Sequence, residues 1–220
     1  MANRRTTTMQ SHTGGGIRAS FLKVILLGDG MVGKTSLMNR FVTNKYSETL
    51  LRTIGVEFLN KDLIVNGQTY TLQIWDTAGQ EQFKSLRTPF YRGSDVCLLV
   101  FSLTNRESFE NLEYWKKEFF YHADVHNYEF PFVLLGNKSD ATDSRVVNQD
   151  EIEEFVRLCP NMEYYETSAK KNENVEKAFI AAIDKFQKFE EDALNKDPFK
   201  NDPNKVDLDK IKRKNRSCNC

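Results

Sequence analysis

Residues 21–35 read FLKVILLGDGMVGKT, a mostly apolar run that passes without a break into the pattern GxxxxGK[ST]. The run has the length and character of a buried strand. The glycines behind it allow a turn tight enough to curl backbone N–H groups around a phosphate before a helix begins. In such a loop Gly28, Asp29, Gly30, Met31, Val32 and Gly33 supply backbone. Lys34 places its ammonium between β- and γ-phosphates, and the Thr35 hydroxyl can ligate Mg2+. The helix that opens there turns its positive end toward the anion.

Working outward, apolar runs at 22–27, 56–65, 69–75, 96–102, 132–137 and 164–167 are strand candidates. Asn66-Gly67 between the second and third is a hairpin signal, so that pair is expected to be antiparallel. Helix-length segments separate the others, which are expected to run parallel. The fold class expected is α/β: a six-stranded, mostly parallel sheet with one antiparallel strand and helices on both faces. Phe109, Leu112, Trp115 and Phe119 recur at near-helical spacing, as do Val175, Phe179, Ala182, Ile183 and Phe186. Both stripes read as core faces.

The division expected is a flexible extension over 1–20, one domain over 21–190 and a polar tail over 191–220. At 220 residues and 40% hydrophobic content the chain can bury one good core. Its formal charge is zero, so no global field points to nucleic acid. Residues 1–20 lack the apolar core of a secretory signal, and no run approaches membrane-span length, which together predict a cytosolic protein. Cys97 and Cys159 do not form a disulfide framework with Cys218 and Cys220 and read as core or surface thiols.

A phosphate loop alone fits kinases, transporters and motors as well as switches, because it reads only phosphates. The base must be read elsewhere. Asn137-Lys138-Ser139-Asp140 follows the fifth strand at the carboxyl edge of the sheet, where open α/β folds bind ligands. There the Asp140 carboxylate can accept both N1–H and the 2-amino group of guanine, which adenine does not offer. Asn137 can bond the N7 edge and brace the loop, and the Lys138 stem can lie along the purine. Asp76 in DTAG can hold Mg2+, and the Gly79 N–H can meet a γ-phosphate oxygen. Gln80 can orient an attacking water. Thr53 can place its hydroxyl on the metal while the γ-phosphate is present. A kinase would need an arginine-rich lid and an acceptor pocket, neither of which is located. A module that holds GTP without cleaving it is kept open by Met31.

GDGMVGKT, RTIGVEF, WDTAGQE, GNKSD and ETSAK, in this order, resemble the Ras superfamily of small GTPases. TIGVEF, IWDTAGQE and FYRGSD are similar to its Rab family. KTSLMNRFV, GVEFLNKDL, SLRTPFYRGSD and FPFVLLGNKSD look most like the late-endosomal Rab branch conventionally numbered nine. The resemblance covers residues 21–189. It implies a GTP/GDP switch with Mg2+, slow hydrolysis, and control of vesicle trafficking from late endosome to Golgi. It implies that Ser168, Ala169 and Lys170 complete guanine recognition, with the Ala169 amide facing O6. Tyr46 would stack across the base edge and Ser36 would touch the α-phosphate. Phe58, Trp75 and Phe90 would form an aromatic triad read by effectors. Two positions depart from the pattern: Met31 stands where glycine is common, and Gln82 where arginine is usual. No arginine is evidently placed as a finger in cis, so an activating protein is expected.

Cys218-Asn219-Cys220 ends the chain behind Lys210, Lys212, Arg213, Lys214 and Arg216. In a Rab a terminal CxC implies two geranylgeranyl groups, and two chains suffice for a stable anchor. Partners implied are effectors, an exchange factor, an activating protein, a GDP-dissociation inhibitor and a Rab escort protein. The expected location is the cytoplasmic face of late-endosomal and Golgi-related membranes, with a cytosolic pool.

Overall fold

The computed structural model describes residues 19–48, 52–125, 129–159 and 161–195. Both thiols of the terminal CxC lie outside the described residues, as does most of each end segment. Strand β1 (Ser20–Leu27) leads into helix α1 (Lys34–Thr43), followed by the hairpin β2 (Val56–Val65) and β3 (Gln68–Thr77). Three short turns of helix come next, the middle one α2 (Lys84–Arg87), then β4 (Val96–Ser102). Helices α3 (Arg106–Glu110) and α4 (Leu112–Ala123) precede β5 (Phe132–Asn137). Helix α5 (Gln149–Arg157), β6 (Glu163–Thr167) and α6 (Val175–Asn195) complete the order.

The strands form one sheet in the order β2-β3-β1-β4-β5-β6, and only β2 and β3 pair antiparallel. Asn66 and Gly67 both take positive φ, as a two-residue hairpin of that twist requires. The strands at the centre are apolar on both faces because helices cover both. Leu22, Val24 and Leu26 of β1 join a cluster with Leu37 and Phe41 of α1 and with Val175, Phe179 and Ile183 of α6. Ile25 and Leu27 join the opposite cluster with Leu112, Trp115 and Phe119 of α4 and Ile152 of α5. Cys97 and Cys159 are both buried free thiols.

The aromatic stripe expected as one helix face is divided at Asn111, with Phe109 in α3 and the rest in α4. The break frees the Asn111 side chain for a contact at the phosphate loop described below. Helix α5 was not marked by the apolar spacing. It starts on a capping box in which Asn148 and Glu151 satisfy each other's backbone groups.

Sheet order decides where the site lies. β1 continues rightward to β4 and leftward to β3, so its carboxyl end is a point where connections diverge, and a crevice opens there. The loops after β1, β3, β5 and β6 all meet at that edge.

Candidate functional site

Those loops enclose a cavity of about 370 Å³. Gly30, Met31, Gly33, Lys34, Thr35 and Ser36 line it from the first loop, and Tyr46, Thr53, Gly79 and Gln80 from the segments beside it. Asn137, Lys138, Asp140, Ala169 and Lys170 close its far end. Residues from five separate stretches of sequence therefore face one volume.

The phosphate loop is built by close approach. Gly28 has φ +144, and a Cβ there would lie 1.9 Å from the Val100 carbonyl oxygen of β4. At Gly79 a Cβ would come within 2.5 Å of Asp29 and Gly30 backbone, so the β3 loop presses directly on the first loop. Helix α1 begins at Gly33 with no side-chain cap, which leaves its first-turn N–H groups for an anion. Lys34 is buried and donates to the Gly28 and Asp29 carbonyls at 2.6 and 2.7 Å. Burial draws its pKa down to about 8, Asp76 and Asp29 pulling against that and Arg87 with it.

Two of the expected loop residues contribute backbone only. The Val32 side chain belongs to the core, and its carbonyl accepts the Asn137 amide at 2.8 Å. The Asp29 carboxylate turns outward to α4, where Trp115 Nε1 and Asn111 Nδ2 donate to it at 2.6 and 2.8 Å.

Thr35, Thr53 and Asp76 come together as expected. Thr35 Oγ1 lies 2.9 Å from Thr53 Oγ1 and donates to Asp76 Oδ2 at 2.5 Å, with Thr53 at 3.3 Å from the same oxygen. Asp76 Oδ1 is buried with no hydrogen-bond partner among the described residues. Burial raises the Asp76 pKa, although Lys34 and the two hydroxyls hold it down. A buried carboxylate short of one partner is what a cation would satisfy.

At the base end, Ser168 Oγ donates to Asp140 Oδ1 at 2.6 Å and accepts the Lys171 N–H, so Ser168 orients the carboxylate rather than lining the cavity. Asn137 braces three segments: besides Val32, its Oδ1 accepts the Ala169 N–H at 3.3 Å and the Thr167 hydroxyl at 3.4 Å. Lys170 reaches Glu48 at 2.7 Å across the cavity mouth. Phe58 stacks on Trp75 and Phe90 tilts against it, with centroids 4.8 and 5.3 Å apart, and Phe58 and Phe90 are exposed.

A family profile described as the Ras family matches residues 23–188 of this chain. The chain belongs to the Ras family. Ras-related protein Rab-9A of Homo sapiens is 60% identical over 167 residues, 76% of this chain and 83% of that protein. Ras-related protein Rab-9B of Homo sapiens is 60% identical over the same lengths. Ypt/Rab-type GTPase YPT7 of Saccharomyces cerevisiae is 43% identical over 206 residues, 92% of this chain and 98% of that protein. Within the Ras family these relatives place the chain among the Rab GTPases, and its enzyme class is GTP hydrolysis. Its sheet is that of the P-loop GTPase fold.

Sequence reading missed several residues of this Ras-family site. Arg40 of α1 donates from Nε to the Ala169 carbonyl at 2.8 Å and from Nη2 to Lys170 at 3.2 Å, with its guanidinium 5.8 Å from the Tyr46 ring. It fixes the base-side loop from 129 residues away, and no local pattern marks it. Arg52 lines the cavity beside Thr53. Arg87 is fully buried, donating to the Gln80 carbonyl at 2.6 Å while pairing with Glu118 at 3.0 Å. Gln82, noted in the sequence for its identity alone, donates to the Gln80 side-chain oxygen at 3.1 Å.

Proposed function

We propose that this Rab-family chain is a membrane-anchored switch that binds GTP or GDP with Mg2+, hydrolyses GTP slowly, and regulates vesicle trafficking from late endosome to Golgi. The observation that carries it is one cavity lined by the phosphate loop, by the Thr35 and Thr53 hydroxyls that meet Asp76 behind it, and by Asp140. Asp140 accepts from guanine. Lys34 and the N–H groups of the loop and of α1 hold the phosphates, and Ser36 reaches the α-phosphate. Tyr46 and the Lys138 stem flank the base, and the Ala169 and Lys170 backbone closes over it. Gln80 positions water without taking its proton, since an amide is too weak a base.

Two hydroxyls and a partly unsatisfied carboxylate are hard oxygen donors, which suit Mg2+. Thr35, Thr53 and Asp76 would hold it, and its charge would offset that of the phosphates. Thr53 would hold the metal only while the γ-phosphate is present, which would give effectors two surfaces to tell apart. The Phe58–Trp75–Phe90 series, exposed at Phe58 and Phe90, suits an effector contact.

Purified protein should bind GTP and GDP in excess ATP and release phosphate slowly. Gln80→Leu should lower single-turnover phosphate release by roughly ten- to a hundredfold, the scale of a misplaced reactant. Equal rates would remove Gln80 from the chemistry, and equal competition by ATP would refute the guanine site.

Lys34 adds a pH dependence. The phosphates of bound GDP favour its charged form, so above its value of about 8 binding must take up a proton. GDP affinity should be flat from pH 6.5 to 7.5 and then fall by up to about tenfold per pH unit. Fluorescent GDP titrations at pH 7 and 9 check this. A flat profile across that interval would mean that Lys34 stays charged without phosphate.

No helix among the described residues is long and apolar enough to cross a membrane. The proposed anchor is prenylation of Cys218 and Cys220 at the end of the 191–220 segment, behind a GTPase domain at 21–190, with an escort protein and a GDP-dissociation inhibitor serving the cytosolic pool. An exchange factor and an activating protein would drive the cycle. Cys218→Ser with Cys220→Ser should move the protein wholly to the cytosol, as read by fractionation; retained membrane association would exclude this anchor.

A further inference from the structure

Met31 takes a left-handed backbone conformation, φ +64, and projects its side chain from the phosphate loop with 71% exposure at the wall of the cavity. Its sulfur lies 3.8 Å from Nη2 of Arg52, the residue next to Thr53. The sulfur is thus a second link, beside the Thr35–Thr53 hydroxyl contact, between the phosphate loop and the segment that carries Thr53. Thioether sulfur is a weak acceptor, so this link is loose. The other described methionines, Met38 and Met162, are 1% and 8% exposed, so oxidants reach Met31 first among them.

We propose that Met31 is a peroxide-sensitive modification site that tightens the nucleotide pocket when oxidised to the sulfoxide, an inference that rests on the nucleotide reading above. The sulfur lone pair attacks one oxygen of hydrogen peroxide, and the S–O bond forms as the O–O bond breaks. Sulfur loses two electrons to the peroxide, and its other oxygen leaves as water. The sulfoxide oxygen is a strong acceptor carrying partial negative charge. Facing Arg52, it makes a charge-assisted hydrogen bond where a weak sulfur contact stood. The loop over the phosphates and the Thr53 segment are then tied together across the cavity mouth. Nucleotide release slows. Methionine sulfoxide reductases give the modification a reverse step.

The test uses the full chain loaded with a fluorescent GDP analogue and treated with graded hydrogen peroxide. Peptide mapping should show one added oxygen on Met31 before Met38 or Met162. Analogue release should slow several-fold in step with that modification and recover after treatment with methionine sulfoxide reductase. Met31→Leu, compared with its own untreated rate, should not respond to peroxide, which also controls for Met1 and Met9. Arg52→Gln should be oxidised at Met31 yet show little slowing, since the fully charged donor is gone. Unchanged or faster release from the Met31-oxidised protein, an equal response in Met31→Leu, or earlier oxidation of the buried methionines would each overturn the proposal. If the untreated chain does not retain the analogue at all, the nucleotide reading itself fails instead.

Discussion

Asp140→Asn is expected to weaken GDP and GTP binding by a hundred- to several-thousandfold and to abolish the preference over ATP. The wild-type carboxylate is held by the Ser168 hydroxyl at 2.6 Å in the wall of the cavity, so it is already oriented before a base arrives. Its two oxygens can take both edge donors of guanine. Hydrogen bonds to a charged group contribute about 1.5–3 kcal/mol each, so losing the charge and turning an N–H₂ toward one guanine donor removes about 3–5 kcal/mol. Competition titrations of a fluorescent GDP analogue against GDP, GTP and ATP measure all three affinities at once. An unchanged GDP affinity in the variant would detach Asp140 from base recognition, while the phosphate grip of Lys34 would be untouched by that result.

Arg87→Met should destabilise the fold by about 3–5 kcal/mol, the usual loss when one partner of a buried ion pair is removed. In a chain of this size that is a drop of roughly 10 °C in Tm. Arg87 and Glu118 are both buried, 3.0 Å apart, and the Tyr91 and Tyr114 hydroxyls also donate to Glu118 at 2.8 and 2.5 Å. Lys84 reaches the same carboxylate at 2.9 Å from the surface and keeps part of the compensation in the variant. Adding Glu118→Gln to Arg87→Met should recover at least half of the loss, because the stranded charge is gone. Burial works to raise the Glu118 pKa, but the hydrogen bonds from Tyr114, Lys84 and Tyr91 and the charge of Arg87 outweigh it, and the value is lowered. A lowered carboxylate contributes stability above the ordinary carboxylate range and loses it as pH falls toward the folded-state value. Wild type should therefore lose stability on acidification more steeply than the double variant. Thermal melts of the three proteins between pH 4 and 7 decide it, and a single variant as stable as wild type would show that the pair is dispensable. Because Arg87 also holds the Gln80 carbonyl at 2.6 Å, phosphate release by the single variant should fall even at temperatures where it is fully folded.

What sequence could tell about this site follows from distance along the chain. The phosphate loop and the Asn137–Asp140 turn are contiguous, each sits behind an apolar strand, and each carries its chemistry in residues a few positions apart. The hairpin at Asn66-Gly67 was legible for the same reason, since positive φ at both positions is a local demand. Contacts that span the fold were not. Arg87 meets Glu118 across 31 residues, Trp115 meets Asp29 across 86, and Arg40 meets Ala169 across 129. In sequence each of these is an ordinary charged or aromatic residue on a helix. Trp115 was legible as core, and so it is, yet its indole N–H carries a second duty that spacing does not encode. Helix α5 escaped notice because, of its residues, only Ile152 is fully buried, so its apolar stripe is thin.

The Asp29 carboxylate gives the phosphate loop a strut. Asn111 at the N-cap of α4 and Trp115 in its first turn grip it, and Glu118 one turn further on anchors the segment behind Gln80 through Arg87. One rigid helix thus touches the loop that holds the nucleotide and the segment that positions the water. The grip on the nucleotide and the placing of the water are thereby coupled through α4, which also packs against the short helical turn that ends at Phe90.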